Sequence, residues 1–253
     1  ETGAQSVYEL FSVRGRRALV TGGSAGLGRG MAEALIDGGA RVAIVGRSDR
    51  VLGVAREIGA FGIRTDLSDR AQTMALVPQA LQVLGGLDVL VNDAGAQRRH
   101  AAEEFPLEDW DHVLAVNLDA VWILCQAAGR HMLSEGYGKI INVASMMSFT
   151  GGVSIPAYTA SKGGVSQLTK ALSNEWAGRG INVNAIAPGY MATEMTSAVA
   201  NDPQREPQIL ARIPAGRWGQ PDDVKGAIVF LASAASDYLH GAIIPVDGGY
   251  LSR

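Results

Sequence analysis

Three polar residues in the second half of the chain could together transfer a proton. Tyr158 and Lys162 are four residues apart, a spacing that places both on one face of a helix. A phenol with its ordinary pKa of about 10 is a poor acid or base at neutral pH, and a neighbouring ammonium group lowers that pKa. Ser145 follows the apolar run 140–144, and its hydroxyl could polarise a reacting carbonyl group. The pattern predicts general acid/base chemistry, although a Tyr and a Lys at this spacing also occur as a plain surface pair.

A glycine-rich turn follows the first apolar run of the chain. Residues 17–21 have the composition of a short strand. Gly22, Gly26 and Gly28 follow it, at the point where a helical pattern begins. Glycines at a strand-to-helix turn let a pyrophosphate approach the backbone, and the helix N-terminus attracts the anion. The segment predicts a nucleotide-binding loop; a turn that only reverses the chain is the alternative.

Short apolar runs recur along the chain, most of them separated by segments of helix length. They lie at 17–21, 41–45, 87–92, 139–144, 182–187 and 242–246. This alternation implies a parallel sheet with helices on both faces. Residues 1–253 therefore predict one α/β domain with a Rossmann-like, doubly wound sheet. Within it we expect an N-terminal tail at 1–13, and at 190–215 either a substrate lid or a plain surface excursion.

Composition favours a globular protein that acts on a small molecule. Hydrophobic residues make up 47% and charged residues 19%, and the net charge is −3. With no basic run and no uninterrupted apolar stretch near the roughly 18 residues of a membrane span, we expect neither a nucleic-acid partner nor a membrane. The single cysteine, Cys125, predicts a buried thiol and a reducing, cytoplasmic location. The four histidines show no ligand spacing, so no metal is expected.

The end of the second apolar run bears on which nicotinamide cofactor would be bound. An acidic residue there binds the ribose 2′-hydroxyl of NAD, whereas an arginine can neutralise the 2′-phosphate of NADP. This chain has Gly46, Arg47 and Ser48 at that point. The pattern favours NADP and leaves NAD possible, because Arg47 could also be a solvated surface residue.

Taken together, these residues resemble the short-chain dehydrogenase/reductase superfamily from 20 to 249. The family's cofactor loop, TGxxxGxG, is matched by 21–28. Its catalytic Ser, Tyr and Lys are matched by Ser145, Tyr158 and Lys162, with the serine thirteen positions before the tyrosine. The resemblance implies an NAD(P)-dependent oxidoreductase that interconverts a secondary alcohol and a ketone.

The resemblance also assigns roles that the residue types alone do not. It implies that Asn117 is a catalytic residue that holds a water in the proton relay. It implies a homotetramer, with the apolar segments 121–128 and 165–172 as candidate contacts. The cofactor-binding residues that it implies are Gly22, Ser24, Ala25, Gly26, Leu27, Gly28, Arg47, Ser48, Asp66, Leu67, Asn92, Ala94, Gly95, Tyr158, Lys162, Pro188, Gly189, Met191 and Thr193.

One position departs from the family pattern. The family motif NNAG reads Asn92-Asp93-Ala94-Gly95 in this chain, so an acid replaces the second amide. An ionised carboxylate cannot donate a hydrogen bond, whereas an amide can. If this side chain must donate to a main-chain carbonyl, Asp93 has to be protonated or paired differently.

Within the superfamily, the chain most resembles the gluconate 5-dehydrogenase and 2-deoxygluconate 3-dehydrogenase group, through segments 97–99, 144–149, 187–193 and 212–219. This implies a hexonate or ketohexonate substrate, whose carboxylate a guanidinium group can bind bidentately. The candidate substrate residues are Arg98, Arg99, Met147 and Tyr190. Two alternatives are a 3-oxoacyl-[acyl-carrier-protein] reductase and a catalytically silent nucleotide-binding module; the intact Ser, Tyr and Lys argue against the second.

Overall fold

The core of the protein is a seven-stranded sheet in which all neighbouring strands are parallel. The structure, a computed structural model, describes residues 6–253. The strand order is β3-β2-β1-β4-β5-β6-β7. The strands are β1 (Arg17–Thr21), β2 (Arg41–Gly46), β3 (Phe61–Arg64), β4 (Val89–Asn92), β5 (Gly138–Val143), β6 (Ile181–Pro188) and β7 (Ile243–Val246).

Helices connect the strands and cover both faces of the sheet. They are α1 (Val7–Leu10), α2 (Gly26–Asp37), α3 (Arg50–Ile58), α4 (Arg70–Leu84), α5 (Leu107–Leu114), α6 (Ala120–Glu135), α7 (Pro156–Trp176), α8 (Ser197–Ala200), α9 (Arg205–Leu210) and α10 (Lys225–Ala232). On one face the apolar core contains Leu76, Leu124 and Leu172. On the other it contains Met31 and Ile228. The doubly wound α/β fold predicted from the sequence is confirmed.

Each of the six predicted strands is present, and no end shifts by more than two residues. Strands buried on both faces show continuous apolar runs, which is why they stand out in the sequence. The sequence prediction missed β3, at the edge of the sheet. In this four-residue strand only Ile63 is buried, while Phe61 is 41% exposed, so there is no apolar run to detect.

The segment expected to be an N-terminal tail is ordered wherever it is described. Residues 1–5 lie outside the described part of the chain. Ser6 caps α1 in a capping box with Glu9, the Phe11 ring lies 6.0 Å from that of Phe230, and Val13 is fully buried in the core. α1 has no buried residue, and within 6–13 only Val13 is buried, so the tail remains a prediction.

α5 and α6 are joined by a π-helical turn into one helical segment, Leu107–Glu135. This segment is long and apolar enough to cross a membrane by length and composition, with a mean hydropathy of 1.3 over its most apolar window. Half of that window is buried inside the fold, where α6 packs on the sheet. Core helices of this kind meet the same criterion.

The sheet topology decides where a ligand can bind. From β1 the chain builds outward in one direction to β2 and β3, and then returns to build β4 to β7 on the other side. The loops that follow β1 and β4 therefore separate at the carboxyl edge of the sheet and leave a crevice between them. The predicted nucleotide-binding loop follows β1 and lies at this crevice.

Candidate active site

A cavity of about 700 Å³ opens at the carboxyl edge of the sheet. Its walls come from the residues that follow six different strands, among them Asp66 after β3. Gly22 follows β1, Arg47 follows β2, Ala94 follows β4, Ser145 follows β5 and Gly189 follows β6. Parallel strands thus bring together segments that are far apart in the sequence.

The glycine loop has the shape of a cradle for an anion. Gly22 and Gly26 have φ angles of 71° and 52°, a left-handed conformation that favours glycine. A Cβ on Gly28 would lie 2.5 Å from the carbonyl oxygen of Gly22, so this helix position has no room for a side chain. Ala25, the residue before α2, has no side chain able to cap the helix, which leaves its first N–H groups for a ligand. The loop fits the pyrophosphate of a dinucleotide.

A threonine hydroxyl ties this loop to the next strand of the sheet. Thr21, the last residue of β1, accepts hydrogen bonds at Oγ1 from the backbone N–H groups of Asp93 (3.0 Å) and Ala94 (3.1 Å). The two loops that border the crevice are therefore held in a fixed relation to each other.

The Ser, Tyr and Lys predicted to be catalytic line the same cavity. Tyr158 and Lys162 are one turn apart on α7, which begins with Pro156 in its first turn. Ser145 follows β5, and its Oγ accepts a hydrogen bond from the N–H of Met147 (3.1 Å). The fold thus brings together the hydroxyl, the phenol and the amine.

Lys162 does not act on Tyr158 as we expected. Its Nζ donates to the carbonyl oxygen of Val143 (2.6 Å) and lies 5.8 Å from the centre of the Tyr158 ring. Burial raises the pKa of the Tyr158 phenol, the Ser145 hydroxyl lowers it, and the charge of Asp93 raises it. The net direction is upward, opposite to the predicted effect of the ammonium group. Burial also lowers the pKa of Lys162 itself, to about 8.

Asn117 lies in the π-helical turn Ala115–Asp119 and is fully buried. Its Oδ1 accepts from the N–H of Ala96 (2.7 Å), and its Nδ2 donates to the carbonyl oxygen of Ala96 (3.0 Å) and to Ser161 Oγ (3.0 Å). These bonds join the loop after β4 to α7, the helix that carries the tyrosine and the lysine. π-helical turns of this kind are frequent at functional sites.

The far end of the cavity has the groups predicted for the adenosine half of the cofactor. Arg47 and Ser48 are exposed there, and Asp66 and Leu67 follow β3. The Asp66 carboxylate accepts from the N–H (2.9 Å) and hydroxyl (2.7 Å) of Ser68, and these bonds lower its pKa. No acidic residue occupies the two positions directly after β2.

The cavity wall does not include two of the predicted cofactor residues, Gly28 and Asn92. Asn92 is 2% exposed, and its Nδ2 donates to Asn142 Oδ1 (2.9 Å) and Cys125 Sγ (3.3 Å) inside the sheet. As the last residue of β4 it points into the core, so it supports the strand and does not line the cavity. The predicted burial of Cys125 is confirmed, and burial raises the pKa of its thiol to about 12.

The predicted substrate residues do not all lie in one place. Arg98 lines the cavity and pairs with Asp109 through Nε (3.1 Å). Arg99 is outside the cavity wall and donates to the carbonyl oxygen of Val153 (2.9 Å). Tyr190 and Met147 instead pack around a small apolar cluster that contains Tyr250.

The segment 190–215 is more regular than its sequence indicates, since it contains α8 and α9. It flanks the cavity, and its first residues form part of the wall. Several other lining residues were not predicted, because their types do not stand out in the sequence: Arg50, Thr65, Ala96, Gln97, His112, Val116, Glu194, Met195 and Thr196. Among residues 6–253, no group of three or more His, Cys, Asp or Glu side chains is placed to hold a metal.

The family is shown by comparison with known proteins. A family model described as Enoyl-(Acyl carrier protein) reductase matches residues 22–251. The 2-dehydro-3-deoxy-D-gluconate 5-dehydrogenase of Bacillus subtilis is 49% identical over 251 residues, covering 98% of this chain and 99% of that protein. The chain belongs to the short-chain dehydrogenase/reductase family.

Solved structures agree with this family assignment. A protein from Beutenbergia cavernae, crystallised with NADP at low occupancy, is 47% identical, with a TM-score of 0.94 over 96% of this chain and 100% of that one. A gluconate 5-dehydrogenase from Burkholderia cenocepacia, in complex with NADP and tartrate, is 40% identical, with a TM-score of 0.94 over 98% of this chain and 100% of that one. Both contain the fold described above.

Proposed function

We propose that the protein is an NADP-dependent oxidoreductase that interconverts a secondary alcohol and a ketone on a sugar acid. The observation that carries this proposal is the meeting of Ser145, Tyr158 and Lys162 at a cavity whose other wall is a glycine loop fit for a pyrophosphate. Relatives of similar length carry sugar-acid dehydrogenase names. A silent nucleotide-binding module has no need for all three side chains.

In this mechanism the side chains of the chain hold and move a proton. The nicotinamide ring, when bound, supplies or accepts a hydride. Tyr158 donates its proton to the carbonyl oxygen in reduction and takes it back in oxidation. Ser145 holds the same oxygen by a hydrogen bond, and both side chains line the same cavity. The low dielectric of the buried site strengthens these interactions.

Lys162 and Asn117 assist Tyr158 in two different ways. Lys162 would hold the nicotinamide ribose through its hydroxyls when the cofactor is bound, and its lowered pKa lets it exchange a proton near neutral pH. Asn117 holds the loop after β4 against α7 and lies at the start of the proton relay. The rise in the Tyr158 pKa indicates that the phenol remains protonated in the free protein and is ready to act as an acid.

The preference for NADP rests on Arg47. This guanidinium is exposed at the adenosine end of the cavity, where a 2′-phosphate would lie beside it. Ser48 adds a hydroxyl donor to the same site. The absence of an acid directly after β2 removes the partner that an NAD ribose would use, and the two relatives crystallised with NADP are in agreement with this choice.

For the substrate we propose a hexonate or a ketohexonate. Its carboxylate would lie near Arg98 and Arg99, in the loop that follows β4. Burial lowers the pKa of Arg99 and the charge of Arg205 lowers it further, so an anion at this point would relieve an unfavourable concentration of positive charge. Arg98 lines the cavity and Arg99 does not, so Arg98 is the primary contact, and its guanidinium would exchange its pairing with Asp109 for the carboxylate of the substrate.

The surroundings of the site suggest how the protein works as a whole. We propose that 190–215 closes over the substrate, which hydrogen exchange with and without ligand can test. We also propose a cytoplasmic homotetramer, in which Trp122, 41% exposed within the segment 121–128, meets a second copy. Light scattering of the purified protein gives the number of subunits, and cell fractionation gives the location.

The decisive experiment is a turnover assay by nicotinamide absorbance with hexonates, ketohexonates and 3-oxoacyl thioesters, using NADP and NAD separately. We expect turnover on a sugar acid with NADP, and a loss of at least about 100-fold in kcat for Tyr158→Phe. Binding of NADPH to this variant should be close to that of the wild type, since phenylalanine keeps the ring. Activity on acyl thioesters alone would make the protein an oxoacyl reductase, and cofactor binding without any turnover would indicate the silent module.

A further inference from the structure

A carboxyl group lies under the glycine loop, at the position where the family pattern has an amide. Asp93 directly follows β4 and lines the cavity. Its Oδ2 lies 3.0 Å from the point that a Cβ on Gly22 would occupy, and 2.6 Å from the corresponding point on Gly28. The carboxyl therefore occupies the space that these two glycines leave free.

The same space contains a hydrogen-bond acceptor. The carbonyl oxygen of Gly22 and Oδ2 of Asp93 lie 2.5 Å and 2.6 Å from the Cβ position on Gly28, so both oxygens border the same small space. An ionised carboxylate can only accept, whereas a protonated carboxyl group has one O–H to donate. Only the protonated form can donate a hydrogen bond to the carbonyl oxygen of Gly22, as the N–H of an asparagine could. The N–H of Gly28 also contacts the carboxyl and favours the ionised form.

The charged and titratable groups that act on Asp93 come from α7. Burial raises the pKa of Asp93 to about 7, against the lowering effects of the Lys162 charge and the Gly28 N–H. Tyr158, on the same helix, is neutral at this pH and contributes no charge. From β1, β4 and the glycine loop the neighbours are backbone groups and the hydroxyl of Thr21, which accepts from the N–H of Asp93. A small added negative charge can therefore decide the protonation state of this carboxyl.

We propose that Asp93 takes up a proton when the pyrophosphate of NADP binds to the glycine loop. The inference rests on the proposed function, since it requires that the loop hold a dinucleotide. A second anion beside the carboxylate disfavours its ionised form, and protonation both removes the repulsion and provides a donor for the Gly22 carbonyl oxygen. Asp93 thereby becomes a positioning residue that makes cofactor affinity depend on pH.

The sign of this dependence is determined by linkage. A group that is ionised in the free protein and protonated in the complex makes the dissociation constant rise by up to tenfold for each pH unit, between its two pKa values. Lys162 has a pKa of about 8, and its deprotonation at higher pH weakens binding as well. The charge of Asp93 raises the pKa of Lys162, so in a variant that lacks the carboxyl the Lys162 effect remains but begins at a lower pH. This shift raises the dissociation constant of the variant and lowers the ratio of the wild-type to the variant constant, so a rise in that ratio reports on Asp93.

The test is a fluorescence titration with NADPH on the wild type and on Asp93→Asn between about pH 6.5 and about pH 8.5, above the second pKa of about 6 of the 2′-phosphate. Asparagine has the same shape, always offers an N–H donor and cannot titrate. We expect the ratio of the wild-type to the variant dissociation constant to rise about tenfold across this range. An unchanged ratio would overturn the proposal.

Proton uptake can also be measured on the wild type alone, which keeps the proposal testable if the variant folds poorly. Calorimetric titration with NADPH at about pH 7.5, in two buffers of different ionisation enthalpy, gives the number of protons bound per cofactor. We expect uptake by the wild type and markedly less by Asp93→Asn. Binding without uptake by the wild type would refute the inference and leave the proposed function intact. No NADPH binding by the wild type at any pH would instead refute the proposed function.

Discussion

Replacement of Gly28 by alanine should disrupt the glycine loop by a steric contact alone. Gly28 has no positive φ angle, so alanine meets no conformational penalty there. The new methyl group would lie 2.5 Å from the Gly22 carbonyl oxygen and 2.6 Å from Asp93 Oδ2. The first of these is a backbone atom of the loop itself and cannot move without moving the loop. The substitution therefore forces the loop away from its present position.

The expected loss of stability is that of adding a methyl group to a close-packed region. An added methyl group of this kind lowers the free energy of unfolding by about 1–3 kcal/mol. In a chain of 253 residues each kcal/mol lowers the melting temperature by about 2–4 °C, so a decrease of about 2–12 °C is expected for Gly28→Ala. Because the loop is the proposed pyrophosphate site, NADPH binding should weaken by at least about tenfold, the factor that corresponds to about 1.4 kcal/mol.

Gly53→Ala is the matched control. Gly53 lies inside α3 on an exposed face, and a Cβ there has nothing within 4 Å. Alanine in a helix interior is more favourable than glycine by about 0.5–1 kcal/mol, so this variant should gain stability and bind NADPH as the wild type does. Thermal unfolding and fluorescence titration measure both effects. If Gly28→Ala matched the wild type in both, the steric account of the loop would be refuted.

Two further predictions concern charged groups. Arg47→Ala should raise the NADPH dissociation constant by about tenfold while that of NADH stays close to the wild-type value, because only NADPH has the 2′-phosphate; an equal loss for both cofactors would contradict the assignment. Asp88→Asn should destabilise the fold by about 1–3 kcal/mol at neutral pH, since it removes the bidentate pair with Arg17 (2.8 and 2.9 Å). Burial raises the pKa of Asp88, but the hydrogen bonds from Arg17 lower it more, so this stabilisation is present above the unfolded pKa of about 3.9 and is lost as pH falls below it. Urea unfolding at several pH values should show the difference between the two proteins shrinking in acid, and a constant difference would argue against the ion pair.

Much of the fold is determined by local sequence. Strands buried on both faces need continuous apolar runs, and a loop that binds a phosphate close to its backbone needs glycines; both requirements leave patterns within a few neighbouring residues. The Tyr158 and Lys162 pair is likewise readable, since four residues make one turn of α7. The edge strand β3 escaped detection because one buried residue, Ile63, makes no pattern.

The direction in which a side chain points is harder to infer. Asn92 and Ala94 belong to the same motif, yet the first points into the core and the second lines the cavity. The change occurs where β4 ends, and a shift of one residue along a strand reverses the side of the sheet that a side chain faces. The strand was predicted to end at the correct residue, but the motif does not state which member faces the cofactor.

The protonation chemistry of the site was decided by tertiary structure alone. The sequence places Tyr158 beside Lys162 and therefore predicted a lowered phenol pKa, whereas in the folded chain Lys162 Nζ turns to the Val143 carbonyl oxygen and burial raises the pKa of Tyr158. In the same way, the sequence shows that Asp93 is unusual, but only the fold shows that its carboxyl meets the glycine loop. Spacing along a chain specifies which groups can be neighbours, while a pKa depends on burial and on every charge nearby in space, most of which come from distant parts of the sequence.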